Sequence, residues 1–351
     1  MHITAAAPAS AAGLDSIATP GLWAVTIGAV VALLVVDFVI TRRPHDVSMR
    51  EAIAWSVFYV ALPLAFGVYI WSSHGSERGL EYYTGYLVEK SLSVDNLFVF
   101  ILLLSAFAVP RVLQQRVLLY GIVGALVLRG IFIALGAAAL ARFDWVFLVF
   151  GAILLLTGVK LLRDNLAGAD HAVDVSQLRV VRLVRRFMPV SDDYEGTRMT
   201  TRIGGRRAFT PFALVVVAVL ATDVVFAVDS VPAVYGITGD PYLVFATNAF
   251  ALLGLRALYF VLEGALSKLV HLGYGLAAIL GFIGVKLVLH WAHIEWPAVP
   301  EIPTLASLGV IIGILVVTTL TSLAAARRAE AREGAGAPVE PEDQLEESRL
   351  P

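Results

Sequence analysis

The sequence predicts an all-α integral membrane protein with nine transmembrane helices, six of them forming an inverted repeat of three plus three. Three observations carry that expectation: an apolar composition, nine apolar runs of spanning length, and an internal duplication. The chain has 351 residues, of which 58% are hydrophobic and only 15% charged, with a mean hydropathy of +0.81. A soluble domain needs a polar exterior and could not hide that much apolar surface.

The runs lie at 20–40, 51–72, 82–107, 114–140, 143–162, 211–236, 242–262, 270–291 and 304–326. Each approaches the ~20 apolar residues that a spanning helix requires. The third and sixth are the most interrupted by polar groups and so the least typical of lipid-facing sequence. The first 19 residues hold no Lys or Arg, so they lack the basic start of a secretory signal. They are expected to be extracytoplasmic, with span 1 a retained anchor.

Lys and Arg set the orientation. Arg42, Arg43, Arg50, Arg111, Arg116, nine Arg between 163 and 207, Lys268, Arg327, Arg328, Arg332 and Arg349 fall on one side, against Arg78 and Arg142 on the other. The positive-inside rule then places the N-terminus outside and the C-terminus in the cytosol of an inner-membrane, multi-pass protein. Spans 1–5 fill 20–162. The Arg-rich segment 163–210 reads as a cytosolic connector on anionic lipid rather than a nucleic-acid surface. The second repeat occupies 211–291, and an outer loop with span 9 occupies 292–326. The Glu-, Pro- and Gly-rich tail, 327–351, is expected to be disordered.

The duplication has three landmarks in the same order. Glu89-Lys-Ser-Leu-Ser-Val-Asp95-Asn96 aligns with Asp223-Val-Val-Phe-Ala-Val-Asp229-Ser230. Leu126-Val-Leu-Arg129 aligns with Leu253-Gly-Leu-Arg256, and Gly158-Val-Lys160 with Gly284-Val-Lys286. Spans 3–5 (residues 82–162) and 6–8 therefore read as two copies of one unit. Three being odd, the second copy enters the membrane from the opposite side, as in many secondary transporters whose site lies between the repeats.

Carboxylates inside a bilayer are expensive, even ~2.5–3.5 kcal/mol on insertion scales, and mark partners or polar cavities. Glu89, Asp95, Asp223 and Asp229 all fall within spans. A spacing of six residues turns the members of each pair about 240° apart on a regular helix, so all four cannot aim at one centre from unbroken helices. Pro232 is expected to break span 6 and free the Val228 carbonyl. With Asn96, Ser230 and backbone oxygen, the ligand set suits Mg, Ca or Mn rather than Zn or Cu. Arg129 and Arg256 are expected to balance Asp95 and Asp229. Lys160 and Lys286 read as snorkelling residues, Asp37 as an anchor or vestibule residue, Asn248 as packing or coordination, and His290 with His293 as interfacial. There is no cysteine, hence no thiolate chemistry, and no hydrolase or phosphate-loop motif, so an enzyme is not expected.

At these residues the sequence resembles the TerC/Alx family of integral membrane proteins. Gly85-Tyr-Leu-Val-Glu89-Lys-Ser-Leu-Ser-Val-Asp95-Asn96-Leu-Phe-Val, Asp223 through Pro232-Ala, and Asn248-Ala-Phe-Ala-Leu-Leu-Gly-Leu-Arg256 carry the likeness, from about residue 20 to 326. The resemblance implies a nine-helix fold and export of manganese from the cytosol. It also implies transport roles for Glu89, Asp95, Asn96, Asp223, Asp229 and Ser230. Mn2+ would be cargo, with no prosthetic group; protons and the bilayer are the other expected partners, and a homo-oligomer is compatible with the sequence. A Ca2+ exporter and a non-transporting scaffold for protein assembly or metalation are the rival readings.

Overall fold

A computed structural model of the chain describes residues 16–40, 48–167, 190–191, 193–203, 206–262 and 271–336. It is a helical bundle with one small β-hairpin. The helices are α1 (Pro20–Ile40), α2 (Met49–His74), α3 (Ser76–Ala106), α4 (Arg111–Leu140) and α5 (Trp145–Leu166), then α6 (Pro211–Tyr235), α7 (Pro241–Leu253), α8 (Leu255–Leu262), α9 (Leu272–Glu295) and α10 (Thr304–Gly336). Seven are long and apolar enough to cross a membrane, and the bent pair α7–α8 adds an eighth candidate. The chain is thus a multi-span integral membrane protein. α3 is longer still, at 31 residues or ~46 Å, but Glu77, Arg78, Glu81, Glu89, Lys90 and Asp95 make it more polar than the rest.

Successive helices run between two ends of the bundle. The basic end carries the turn at 107–110, the hairpin and the start of α9. The opposite end carries Gly75 and the turns at 141–144, 236–240 and 296–303. Outward faces are apolar, as lipid demands: Val25, Leu156 and Leu320 are 70%, 71% and 61% exposed. Polar groups go inside instead, the reverse of a soluble protein.

Several local choices explain the elements. Thr210 caps α6 by accepting from Ala213 N, and Pro211 occupies the first helical position, where its missing N–H costs nothing. Asp240 caps α7 through Tyr242 N at 2.9 Å and also accepts from Ser16 Oγ and Ile17 N, which ties the start of α1 to the opposite end. α5 and α9 pack closely because glycines at the contact let each helix approach the other's backbone. A Cβ on Gly158 would lie 3.1 Å from the Ala277 carbonyl oxygen, and one on Gly284 would lie 3.0 Å from that of Gly151.

Four expectations need correction. Pro232 does not break its helix: α6 continues to Tyr235, because the proline stands in the last turn, where only the Val228 carbonyl loses a donor. The break lies instead in the expected span 242–262, which bends by 40° between α7 and α8 at Gly254. There a Cβ would come within 3.0 Å of Tyr59 Cβ on α2. The tail 327–351 is helical as far as Gly336, since Ala, Arg and Glu are strong helix formers; 337–351 lie outside the described residues. Finally, the 163–210 segment is not wholly irregular. α5 extends to Leu166, and β1 (Thr200–Ile203) pairs antiparallel with β2 (Arg206–Phe209), while 168–189 lie outside the described residues. Tyr194 pins this region by donating to the Phe107 carbonyl at 2.8 Å, and burial pushes its phenol up to about 12.

Candidate functional site

Two polar centres lie side by side in the middle of the bundle. The first is built on Arg129 of α4, 1% exposed. Its Nη1 pairs with Glu89 of α3 and donates to Asn248 Oδ1 of α7 at 2.9 Å. Its Nη2 reaches Asp223 of α6 at 3.3 Å. Asn96, oriented to satisfy both ends of its amide, accepts from Nη2 at 3.1 Å and donates to the Leu92 carbonyl at 3.1 Å. One guanidinium therefore joins α3, α4, α6 and α7. An ion this deep survives only because it is paired and hydrogen-bonded.

The pairing is incomplete. Each carboxylate holds Arg129 through one oxygen, and Glu89 Oε2 and Asp223 Oδ2 are buried without a hydrogen-bond partner among the described residues. Ser93 Oγ and Ser230 Oγ share that condition. Native proteins rarely leave such groups unsatisfied, so these buried oxygens on α3 and α6 are a signal.

The second centre is a cavity of about 170 Å³ where α3, α5, α6 and α9 meet. Its polar lining is Asp95 and Asn96, Thr157, Lys160 and Asp164, Asp229 and Ser230. Thr157 donates to Asp229 Oδ1 at 2.8 Å. Asp95 and Asp229 are both half-buried, as suits groups facing a polar cavity. Lining from Asp164 on α5 and Leu276 on α9 places the cavity toward the basic end. Asn96 belongs to both centres, being a wall of the cavity and a partner of Arg129.

The structure thus sorts the six expected residues by face. Glu89 and Asp223 meet at Arg129, Asp95 and Asp229 at the cavity, and Asn96 and Ser230 stand between. The 240° turn over six residues produces this division on unbroken helices. The expected charge balance is corrected. Arg129 takes Glu89 and Asp223 rather than Asp95, and Arg256 turns away altogether, donating to Asp37 Oδ1 of α1 at 2.9 Å and to Gln115 Oε1 at 3.3 Å. Asp37 is therefore a buried ion-pair partner, 1% exposed. Lys160, exposed near the basic end as expected of a residue close to a helix terminus, also lines the cavity. Thr157 and Asp164 were missed by sequence reasoning, although Thr157, Lys160 and Asp164 are spaced i, i+3, i+7 and so form one polar stripe on an apolar helix.

At the opposite end, a cavity of about 710 Å³ holds Glu77, Glu81, Lys286, His290 and Glu301. His290 pairs with Glu301, and His293 Nδ1 donates to the Val299 carbonyl at 2.6 Å. Lys286 stands in Gly284-Val-Lys286 as Lys160 does in Gly158-Val-Lys160. Among the described residues no three Asp, Glu or His side chains converge into a ready-made metal cage.

Comparison with known proteins agrees with this architecture. Residues 74–330 match the integral membrane protein TerC family. An uncharacterized membrane protein of Myxococcus xanthus is 42% identical over 90% of this chain and 95% of its own. An uncharacterized membrane protein of Mycobacterium tuberculosis is 44% identical over 87% of this chain and 80% of its own. The putative membrane-bound redox modulator Alx of Escherichia coli is 40% identical over 87% and 95%. No solved structure matches.

Proposed function

From the premise that this chain belongs to the TerC family of integral membrane proteins, we propose that it is a transporter that exports Mn2+ from the cytosol by alternating access. The observation that carries the reading is the cavity at which Asp95 and Asp229, from facing helices of the two copies, come together with Asn96 and Ser230. Two carboxylates, an amide and a hydroxyl offer the hard oxygen donors that a small divalent cation prefers. The orphaned Ser230 Oγ is a donor atom in want of a partner.

Nine spans and an inverted repeat belong to the same proposal. α3 counts as a span whose polar groups face inward, and α7–α8 as one bent span. The α5–α9 contact supports the repeat. The displacement along the chain that carries Gly158 onto Gly284 also carries Gly151 onto Ala277, so the two close contacts are images of each other. The Lys and Arg asymmetry supports a cytosolic basic end, and the 170 Å³ cavity then faces the metal's source. A carboxylate that takes up a proton as the metal leaves would couple export to the proton gradient.

The test is flux by purified protein in liposomes across Mn2+, Ca2+ and Mg2+, with and without a pH gradient. Saturable Mn2+ movement that disappears in Asp95→Ala and Asp229→Ala is expected. Preference for Ca2+ would replace the cargo. Movement of no ion by the wild type would favour a scaffold. The redox label of the Alx relatives does not point to thiol chemistry here, since this sequence contains no cysteine.

A further inference from the structure

The guanidinium of Arg129 occupies the position a cation would take between two buried acids, and it fills that position poorly. An Arg–carboxylate pair at its best is a two-pronged fork. Here Glu89 and Asp223 each spend a single oxygen on Arg129, and their second oxygens stay buried and unpartnered among the described residues. Ser93 lies one helical turn from Glu89 and has an unpartnered Oγ as well. Asn96 ties the guanidinium directly to the wall of the cavity that holds Asp95 and Asp229.

We propose that Arg129 is a tethered competitor for the transported divalent cation, holding Glu89 and Asp223 when the cation is absent and yielding them as it binds. The inference rests on the cation-transport reading above and specifies how the same site releases its cargo. With no cation of their own, Glu89 and Asp223 would give a divalent ion a second buried acid pair beside Asp95 and Asp229, and the ion would leave slowly. A cation fixed to the chain competes for that second pair and is always present at high local concentration. It lowers apparent affinity by the fraction of time it occupies those acids, and it returns to them as the ion departs. Arg129 in this role is a positioning residue that sets affinity against turnover.

The experiment uses full-length protein in nanodiscs and liposomes with MnCl2 as the probe. Arg129→Gln should bind Mn2+ about tenfold or more tightly by calorimetric titration, while its flux at saturating Mn2+ falls by a similar factor. KM and kcat thus drop together. Thermal melting and gel filtration report whether the variant is folded. If it is not, Arg129→Lys keeps the charge but reaches one carboxylate, and should tighten binding about threefold with slower flux. An unchanged or weaker Kd in a folded variant overturns the competitor role, leaving Arg129 a structural ion pair. Absence of Mn2+ binding by the wild type, or undiminished binding by Asp95→Asn, sinks the underlying transport reading instead.

Discussion

Arg129 and Arg256 end two similar stretches of sequence, Leu126-Val-Leu-Arg129 and Leu253-Gly-Leu-Arg256, and lead different lives. Both are nearly inaccessible, at 1% and 4% exposed. Arg129 faces the seam between α3 and α6 and gathers Glu89, Asp223, Asn96 and Asn248. Arg256 faces α1, a helix outside the duplication, and is held by Asp37 and Gln115. A buried guanidinium must find a carboxylate, and it takes the acid that packing presents. Two similar stretches of sequence therefore share the charge but not the partner. Arg129 instead reaches the centre of the bundle, where Asn96 links it to the wall of the candidate site.

That contrast can be broken by mutation. Asp37→Ala should be the most damaging to stability, since it leaves the buried Arg256 with the neutral Gln115 and no carboxylate among its bonds. About 3–5 kcal/mol is at stake, read as a lower melting temperature in detergent, while Mn2+ affinity stays near that of the wild type. Glu89→Ala should cost less, roughly 1–3 kcal/mol, because Asp223 and Asn248 still hold Arg129, but it should weaken Mn2+ binding. Equal losses of stability and of binding in the two variants would erase the distinction between the arginines.

A second pair sharpens the comparison of the copies. Gly284→Ala and Gly158→Ala place a methyl against a carbonyl oxygen in corresponding contacts, 3.0 and 3.1 Å away. Both should destabilise by about 1–3 kcal/mol; a tolerant Gly284 beside an intolerant Gly158 would mean that the α5–α9 contact is not symmetric in energy. The smallest effect is expected from Thr157→Val, which removes the hydrogen bond to Asp229. About 1 kcal/mol corresponds to roughly fivefold in the Mn2+ concentration for half-maximal flux, with stability little changed.

Much of the frame was legible beforehand because it depends on local chemistry. Apolar runs of spanning length report a membrane whatever their neighbours, and apart from the last helix, which runs on to Gly336, the span ends lie within several residues of the helices. The tail was misjudged at 327–336 because composition typical of disorder also contains Ala, Arg and Glu, which prolong a helix already begun. Pro232 was misjudged for a related reason: a proline breaks a helix interior, and whether it stands in the interior or in the last turn depends on where the chain next reverses.

The site divides along the same line. By itself the sequence determined that four acids, two arginines and a duplicated motif lie within the membrane region, and that a spacing of six residues cannot aim each pair at one point. That is helix geometry and needs no knowledge of neighbours. Only the tertiary structure decided who meets whom: Glu89 and Asp223 at Arg129, Asp95 and Asp229 at a cavity with Thr157 and Lys160, and Arg256 with Asp37 on α1. Ion pairing acts over a few ångströms between helices far apart in the chain. Which charges come that close is set by how the helices pack, and that is not written at any one position of the sequence.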